Sequence, residues 1–331
     1  MTTPDPKLVL WLQSLLADPQ LQEFELVQSL WSDFGQLLRC YSPARQSHLI
    51  IKLIREPASF KHPRGWNSQH SQQRKWRSYQ IEQHFYQNYA ARLASDARVA
   101  ELIVTDQQHE ITVLVLSDLN EAGFPVRHHR LNAKTCRPVL AWLAAFHATF
   151  MQQPAEGLWS QGSYWHLATR QDEYDQMADG PLKQYAARFD QALRECPYQT
   201  LIHGDAKVAN FCFSEDGKSV AAVDFQYVGG GTGVQDVAYF LGSVMSDNEL
   251  SRYTDDCLAF YFDRLKEALG TTTDSATAKD ICQHWQDLYC VANADFHRFL
   301  AGWSPSHSKI NPVLQDQTDQ AIDYVRRATT D

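Results

Sequence analysis

Asp205, Asn210 and Asp224 stand in one short run, LIHGDAKVANFCFSEDGKSVAAVDFQYVGGGTGVQD, which covers residues 201–236. Their types suit one kind of chemistry. Asp205 can take a proton from an attacking hydroxyl. Asn210 and Asp224 offer hard oxygens, which Mg²⁺ prefers when it also holds substrate phosphates. The elements needed to gather them are legible in the same run. Leu201-Ile202 leads into His203-Gly204-Asp205, and Asn210 follows the acid at five positions. Two apolar strands, Asn210–Ser214 and Val220–Val223, flank the turn Glu215-Asp216-Gly217-Lys218, where Asp-Gly is a strong hairpin signal. The second strand delivers Asp224-Phe225-Gln226. A hairpin with one acid before it and another at its exit draws two carboxylates and an amide together. An ordinary hairpin with surface acids would need none of this order.

Two charges elsewhere ask for partners. In the strand His48–Ile54, Lys52 shares a face with Ile50 and Ile54, while Leu49, Ile51 and Leu53 share the other. A lysine between isoleucines on such a strand is costly unless paired, and the functional reading is a lysine that holds nucleotide phosphates. An edge strand with a snorkelling lysine is the alternative. The helix Ser71–Leu93 carries Tyr79, Glu82, Tyr86 and Tyr89 on one face, so Glu82 lies inside an aromatic stripe. An inward carboxylate needs a cation, and Lys52 is the available one.

The pattern His-x-Asp-x-x-x-x-Asn followed by Asp-Phe is that of kinase catalytic loops. With Asp224-Phe225-Gln226 it resembles the aminoglycoside phosphotransferase and choline kinase superfamily. The Gln after Asp-Phe, the run Gly233-Val234-Gln235-Asp236-Val237-Ala238-Tyr239 and Glu82-Gln83-His84-Phe85-Tyr86 resemble its ecdysteroid-kinase-like branch. The likeness spans about residues 28–300 and is strongest between 201 and 241.

That resemblance implies ATP and Mg²⁺ as cofactors, Asp205 as catalytic base, and Asn210 and Asp224 as metal ligands. It implies Lys52 on the phosphates with Glu82 as its partner, and Asp236 as a buried brace for the catalytic loop. It also implies a turn at Ser32–Gln36 whose backbone covers the phosphates, although a single Gly35 replaces a glycine-rich loop. Ile111–Leu116 reads as a buried strand ending in Ser117-Asp118, where backbone near Leu116 and Asp118 would bind adenine. The implied fold is α+β and bilobal, protein-kinase-like. A small N-terminal lobe, 1–117, has an antiparallel sheet and one main helix, and the larger, mostly helical lobe is 118–331.

Between Asp224 and Asp236 the chain is short and contains Gly229-Gly230-Gly231, leaving little to bind a peptide. This argues against a protein kinase and for a small-molecule hydroxyl acceptor. A nucleotide-binding pseudokinase is the other alternative, disfavoured by the intact set Lys52, Glu82, Asp205, Asn210 and Asp224. Steroid alcohols, amino alcohols, aminoglycosides and sugars all fit the superfamily. The aromatic C-terminal lobe leans towards a bulky or cationic acceptor, with Leu158–Arg170, Asp295–Arg298 and Trp303 as pocket candidates. His203 and His147 read as structural and packed residues respectively.

Composition agrees. The 331 residues are 44% hydrophobic and carry a net charge of −9, which excludes a disordered chain and gives no nucleic-acid surface. Seven scattered cysteines without Cys-x-x-Cys suggest reduced thiols in the cytoplasm. The start makes a poor signal peptide, and no apolar run reaches membrane-spanning length. Further expectations are a helix over Lys7–Leu16, a strand near Phe24, a strand over Leu37–Tyr41, and a polar, basic loop over Lys61–Lys75. A helix over Thr135–Phe150, a loop over Thr271–Thr277 and a last helix from Asp316 complete the reading. Oligomeric state is not readable.

Overall fold

The computed structural model describes residues 5–30, 34–55, 69–270 and 272–328, without the side chains of Gln69 and His70. Helix α1 (Pro6–Leu16) is capped by Asp5, whose side chain accepts from the Lys7 N–H. Strands β1 (Gln22–Ser29), β2 (Gly35–Ser42) and β3 (Ser47–Arg55) precede helix α2 (Gln69–Asn88), and β4 (Leu102–Gln108) and β5 (Ile111–Ser117) follow it. The five strands form one antiparallel sheet in the order β1-β2-β3-β5-β4.

The period-two reading of β3 holds. Leu49, Ile51 and Leu53 join Leu12 and Leu16 of α1, Leu38 of β2, and Val113 and Val115 of β5 in one apolar cluster. Lys52 is on the other face, which α2 covers, and α2 brings Ile81, Phe85 and Tyr86 into the main core of the molecule.

The rest is mostly helical: α3 (Arg137–Thr149), α4 (Gln171–Gln176), α5 (Pro181–Arg194), α6 (Gly233–Val244), α7 (Asp247–Leu269), α8 (Ser275–Asp287), α9 (Tyr289–Trp303) and α10 (Pro312–Arg327). Two short antiparallel ladders lie among them. Strand β7 (Phe211–Phe213) pairs β8 (Val220–Ala222), and β6 (Thr200–Ile202) pairs β9 (Gly229–Gly231). The fold is α+β, with a small sheet-based lobe and a larger helical one, as the sequence implies.

Several boundaries differ from expectation. Arg74 and Lys75 belong to α2, not to a polar loop, while 61–68 lie outside the described residues, as do Ser32, Asp33 and Thr271. Helix α8 starts at Ser275 because Asp274 caps it, accepting from the N–H groups of Ala276 and Thr277. Helix α10 starts at Pro312, capped by Asn311, well before Asp316. The 158–170 segment is irregular apart from one 3₁₀ turn. It is tied by backbone bonds from Trp159, Gly162 and Ser163 to the carbonyls of Val228, Gly230 and Tyr227. Those bonds outcompete any helical pattern there.

Candidate active site

The catalytic-loop run is held by a buried acid. Asp236, near the start of α6, accepts from the His203 N–H at 2.6 Å, the Gly204 N–H at 2.9 Å and the His147 ring at 3.1 Å. The other nitrogen of His147 meets the Tyr261 hydroxyl at 2.8 Å. His147 is therefore a hydrogen-bonded node inside the core rather than an apolar filler. His203 also acts on backbone. Its Nε2 donates to the Val223 carbonyl at 3.0 Å and its Nδ1 accepts from the Asp205 N–H at 3.3 Å. One imidazole thus ties the backbone of Asp205 to that of Val223, the residue before Asp224. Gly204 has φ +77°, and a Cβ there would sit 2.1 Å from the Tyr227 carbonyl oxygen, so only glycine fits.

Asp205 and Asn210 are linked directly. The Asn210 amide nitrogen donates to the Asp205 backbone carbonyl at 2.8 Å and to its carboxylate Oδ2 at 3.1 Å. That same Oδ2 receives the Lys207 ammonium at 2.7 Å. The Tyr239 hydroxyl lies close by, yet no hydrogen bond of normal geometry reaches Asp205 Oδ1, which is buried. Asp224 has φ +68°, a left-handed conformation costly for most side chains and tolerated best by Asn and Asp. Its Oδ1 is likewise buried without a partner.

The two acids differ electrostatically. Burial raises the Asp205 carboxyl above its ordinary range, against the pull of Lys207, and the charge of Asp224 adds to the rise. Burial also acts on Asp224, but there Lys52, Lys75 and Lys207 together overcome it and hold the carboxyl below its ordinary value. Lys207 itself is held above its usual value by Asp205, although burial alone would lower it.

Helix α2 clamps the residues after Asp224. Glu82, 2% exposed, receives Lys52 Nζ at 2.5 Å. Phe225 stacks on Phe85 with centroids 4.0 Å apart and meets Tyr86 edge-on. Gln226 Oε1 accepts from Lys75 Nζ at 2.6 Å and from the Ser78 hydroxyl at 3.1 Å. Asp205, Lys207, Asp224, Gln226 and Tyr239 line one cleft of about 530 Å³.

Gly35 opens β2 opposite Ile54, two residues along from Lys52. Its φ is +139°, and a Cβ would lie 1.9 Å from the Leu53 carbonyl oxygen, so the glycine is required by the backbone itself. Leu116 pairs with Ile50 across β3, two residues beyond Leu114, the partner of Lys52. The Asp118 carboxylate is committed to Arg39 Nε at 2.6 Å and the Asn120 N–H at 2.8 Å. Among the described residues no three His, Cys, Asp or Glu side chains gather as a metal cluster.

The profile of the ecdysteroid kinase-like family matches residues 162–273. This segment is similar to that family. It covers about a third of the chain and contains Asp205, Asn210, Asp224 and Asp236; Lys52 and Glu82 lie before it. No curated protein sequence matches the chain. Among solved structures, an ethanolamine kinase from Plasmodium vivax is 12% identical over 92% of this chain and 82% of its own, with a TM-score of 0.51. A microcompartment-associated aminopropanol kinase is 13% identical over 96% and 94%, TM-score 0.48. A Streptomyces rimosus aminoglycoside phosphotransferase, solved with ADP and streptomycin, is 16% identical over 86% and 99%, TM-score 0.49. The ethanolamine kinase likeness supports the kinase-like fold. Within the ecdysteroid kinase-like segment, sequence reasoning overlooked Lys207, whose signal is its place two residues after Asp205, where a charge must meet that carboxylate. It also overlooked Arg39, on the facing edge of a strand remote in sequence from Asp118.

Proposed function

We propose that this protein is an ATP-dependent small-molecule kinase that phosphorylates an acceptor hydroxyl. The observation that carries the reading is the pair of buried, unpartnered carboxylate oxygens, Asp205 Oδ1 and Asp224 Oδ1, at one cleft. A buried carboxylate oxygen without a partner is costly unless a ligand completes it. A hydroxyl proton suits the first, and a hard cation suits the second. Asn210 and Asp224 would hold Mg²⁺, which supplies neutralisation of phosphate charge when bound.

The chain's own residues do the rest. Glu82 fixes Lys52 so that its ammonium meets phosphate oxygens in one place, and the backbone at Gly35, Leu116 and Asp118 lies along the same sheet for the nucleotide. Lys207 holds the Asp205 carboxylate until the acceptor arrives. Asp205 then accepts the hydroxyl proton as the acceptor oxygen bonds to the γ-phosphorus and the bond to the departing ADP oxygen breaks. Asp236 keeps the loop in register from behind. Catalysis is positioning and charge neutralisation. We place the lobe boundary at 117/118, and seven free cysteines support a reducing, cytoplasmic setting. No helix among the described residues is long and apolar enough to cross a membrane.

The test is transfer of γ-labelled phosphate from Mg·ATP into a metabolite extract, with Asp205→Asn beside wild type. Turnover should fall by roughly 10²–10⁴-fold in the variant, the range for losing a general base. A near-wild-type rate removes Asp205 from that role. ATP bound without transfer to anything moves the reading to a nucleotide-binding pseudokinase.

A further inference from the structure

The cleft that holds Asp205 and Asp224 is rich in positive charge. Arg74 and Lys75 from α2, Arg170 before α4, and Lys207 all line it, and among the described residues its carboxylates are Asp205 and Asp224 alone. Two of those cations are already matched. Lys207 is bonded to Asp205, and Arg170 Nη1 to Glu173 at 2.9 Å. Arg74 and Lys75 meet neutral oxygens. Arg74 Nη1 donates to the Thr169 carbonyl at 2.5 Å, and Lys75 to Gln226. Among the described residues neither has a carboxylate in ion-pair contact.

Arg74 and Arg170 are also close enough to repel. Burial and then the Arg170 charge push the Arg74 guanidinium down to about 10, and the nearby charges of Tyr227, Glu173 and Asp172 offset this only in part. The Arg170 guanidinium is fixed by its Nε bond to the Tyr164 carbonyl at 2.6 Å and lies 5.0 Å above the Phe299 ring. Two guanidiniums brought together in a buried wall are expensive unless an anion joins them. Their planar forks match a carboxylate. The neighbouring lining is aromatic, from Tyr164, Tyr239, Phe299 and Trp303. Among the described residues, the cleft lining offers an amine only Asp205 and Asp224, the two carboxylates that the reaction needs.

We propose that the acceptor is a hydroxylated organic carboxylate with a flat apolar body, its carboxylate held between Arg74 and Arg170 and its hydroxyl presented to Asp205. This rests on the kinase reading above and names its substrate class. It replaces the weak leaning of the sequence towards a cationic acceptor.

The experiment titrates the full chain, saturated with Mg·ADP, with para-hydroxymethylbenzoate, its neutral carboxamide and the corresponding benzylamine by calorimetry. The benzoate should bind about tenfold or more tightly than the carboxamide, as expected of charge-assisted hydrogen bonds, with the amine weakest. Arg74→Gln should bring benzoate and carboxamide within about twofold of each other while leaving Mg·ADP affinity unchanged. Arg74→Lys, which keeps the charge and loses the fork, should retain part of the preference and guards against a variant that fails to fold. Equal or tighter binding of the amine or carboxamide overturns the proposal. So does failure of all three to bind at millimolar concentration, or a preference untouched by Arg74→Gln. A loss confined to Mg·ADP affinity assigns the cations to the nucleotide and equally overturns it. Phosphate transfer from Mg·ATP is measured on the same panel. Charge-selective binding with no transfer sinks the kinase reading and leaves the anion site standing, whereas transfer to the amine alone does the reverse.

Discussion

Replacing Lys52 by methionine keeps the stem and deletes the charge, leaving Glu82 alone in a buried site. Glu82 has one escape, which is to take up a proton. Burial already raises its carboxyl, and Lys52 is the main opposing influence. Once Lys52 is gone, the folded state holds a neutral Glu82 while the unfolded chain ionises with the ordinary value of 4.5. The cost is then the protonation free energy, about 3.4 kcal/mol at pH 7 and about 1.4 kcal/mol at pH 5.5. The sign follows from a folded value raised above the unfolded one: the penalty is absent below about pH 4.5 and grows as pH rises. It agrees with the roughly 3–5 kcal/mol typical of breaking a buried ion pair. Urea unfolding followed by tryptophan fluorescence at the two pH values measures it. Adding Glu82→Gln should remove the pH dependence and recover more than half of the loss at pH 7, because the two sites are directly coupled. Full recovery is not expected, since Asp224 also loses Lys52, the first of the cations that hold its carboxyl down. A penalty independent of pH, or a double variant whose loss is the sum of the singles, would refute the reasoning.

Other perturbations test the supports of the site. Asp236→Ala strands the His203 and Gly204 N–H groups and should cost about 3–5 kcal/mol in denaturant unfolding, with turnover falling alongside; unchanged stability would show that the brace is dispensable. Gly35→Ala, with its Cβ 1.9 Å from the Leu53 carbonyl oxygen at φ +139°, should destabilise by more than about 1 kcal/mol, and an unshifted melting temperature would contradict the backbone described. The kcat/KM profile should lose activity as pH falls through the raised Asp205 value, so its acid limb lies above 3.8, while metal affinity persists further into acid because Asp224 is held low. A limb at or below 3.8 would count against Asp205 as the base.

Much of this site could be read before the fold was known, for physical reasons that are specific. Lys52 and Glu82 each interrupt an apolar face, one of period two and one of helical period, and two such interruptions of opposite sign need each other. The hairpin around Asp216-Gly217 fixed how Asp205 and Asp224 approach, because local turn chemistry decides it. What escaped was set by distant chain. Arg39 and Asp118 pair across strands far apart in sequence, and no local pattern announces that bond. Arg74 and Lys75 looked like a solvated loop because α2 is polar from Gln69 through Lys75, and the docking of these two side chains onto Thr169 and Gln226 is set by distant chain. The aromatics of 158–170 gave no sign that the segment is ordered by backbone bonds to Tyr227–Gly230.

Helix α2 joins these parts into one device. Lys75, Ser78, Glu82 and Phe85 follow one stripe along it and together hold three components: Gln226, met by both Lys75 and Ser78, then Lys52 and Phe225. At 1.5 Å per residue, the stripe runs about 15 Å, from the wall of the acceptor cleft to the aromatic core behind Asp224. A rigid helix cannot shift at one end alone. Any displacement that loosened Glu82 from Lys52 would also move Phe85 off Phe225, the residue next to Asp224. In the proposed reaction an anion seated on Arg74 pulls on the same helix that fixes the phosphate-binding lysine. Acceptor binding and phosphate positioning are therefore expected to be coupled through α2 rather than through the sheet, none of whose described residues lines the cleft.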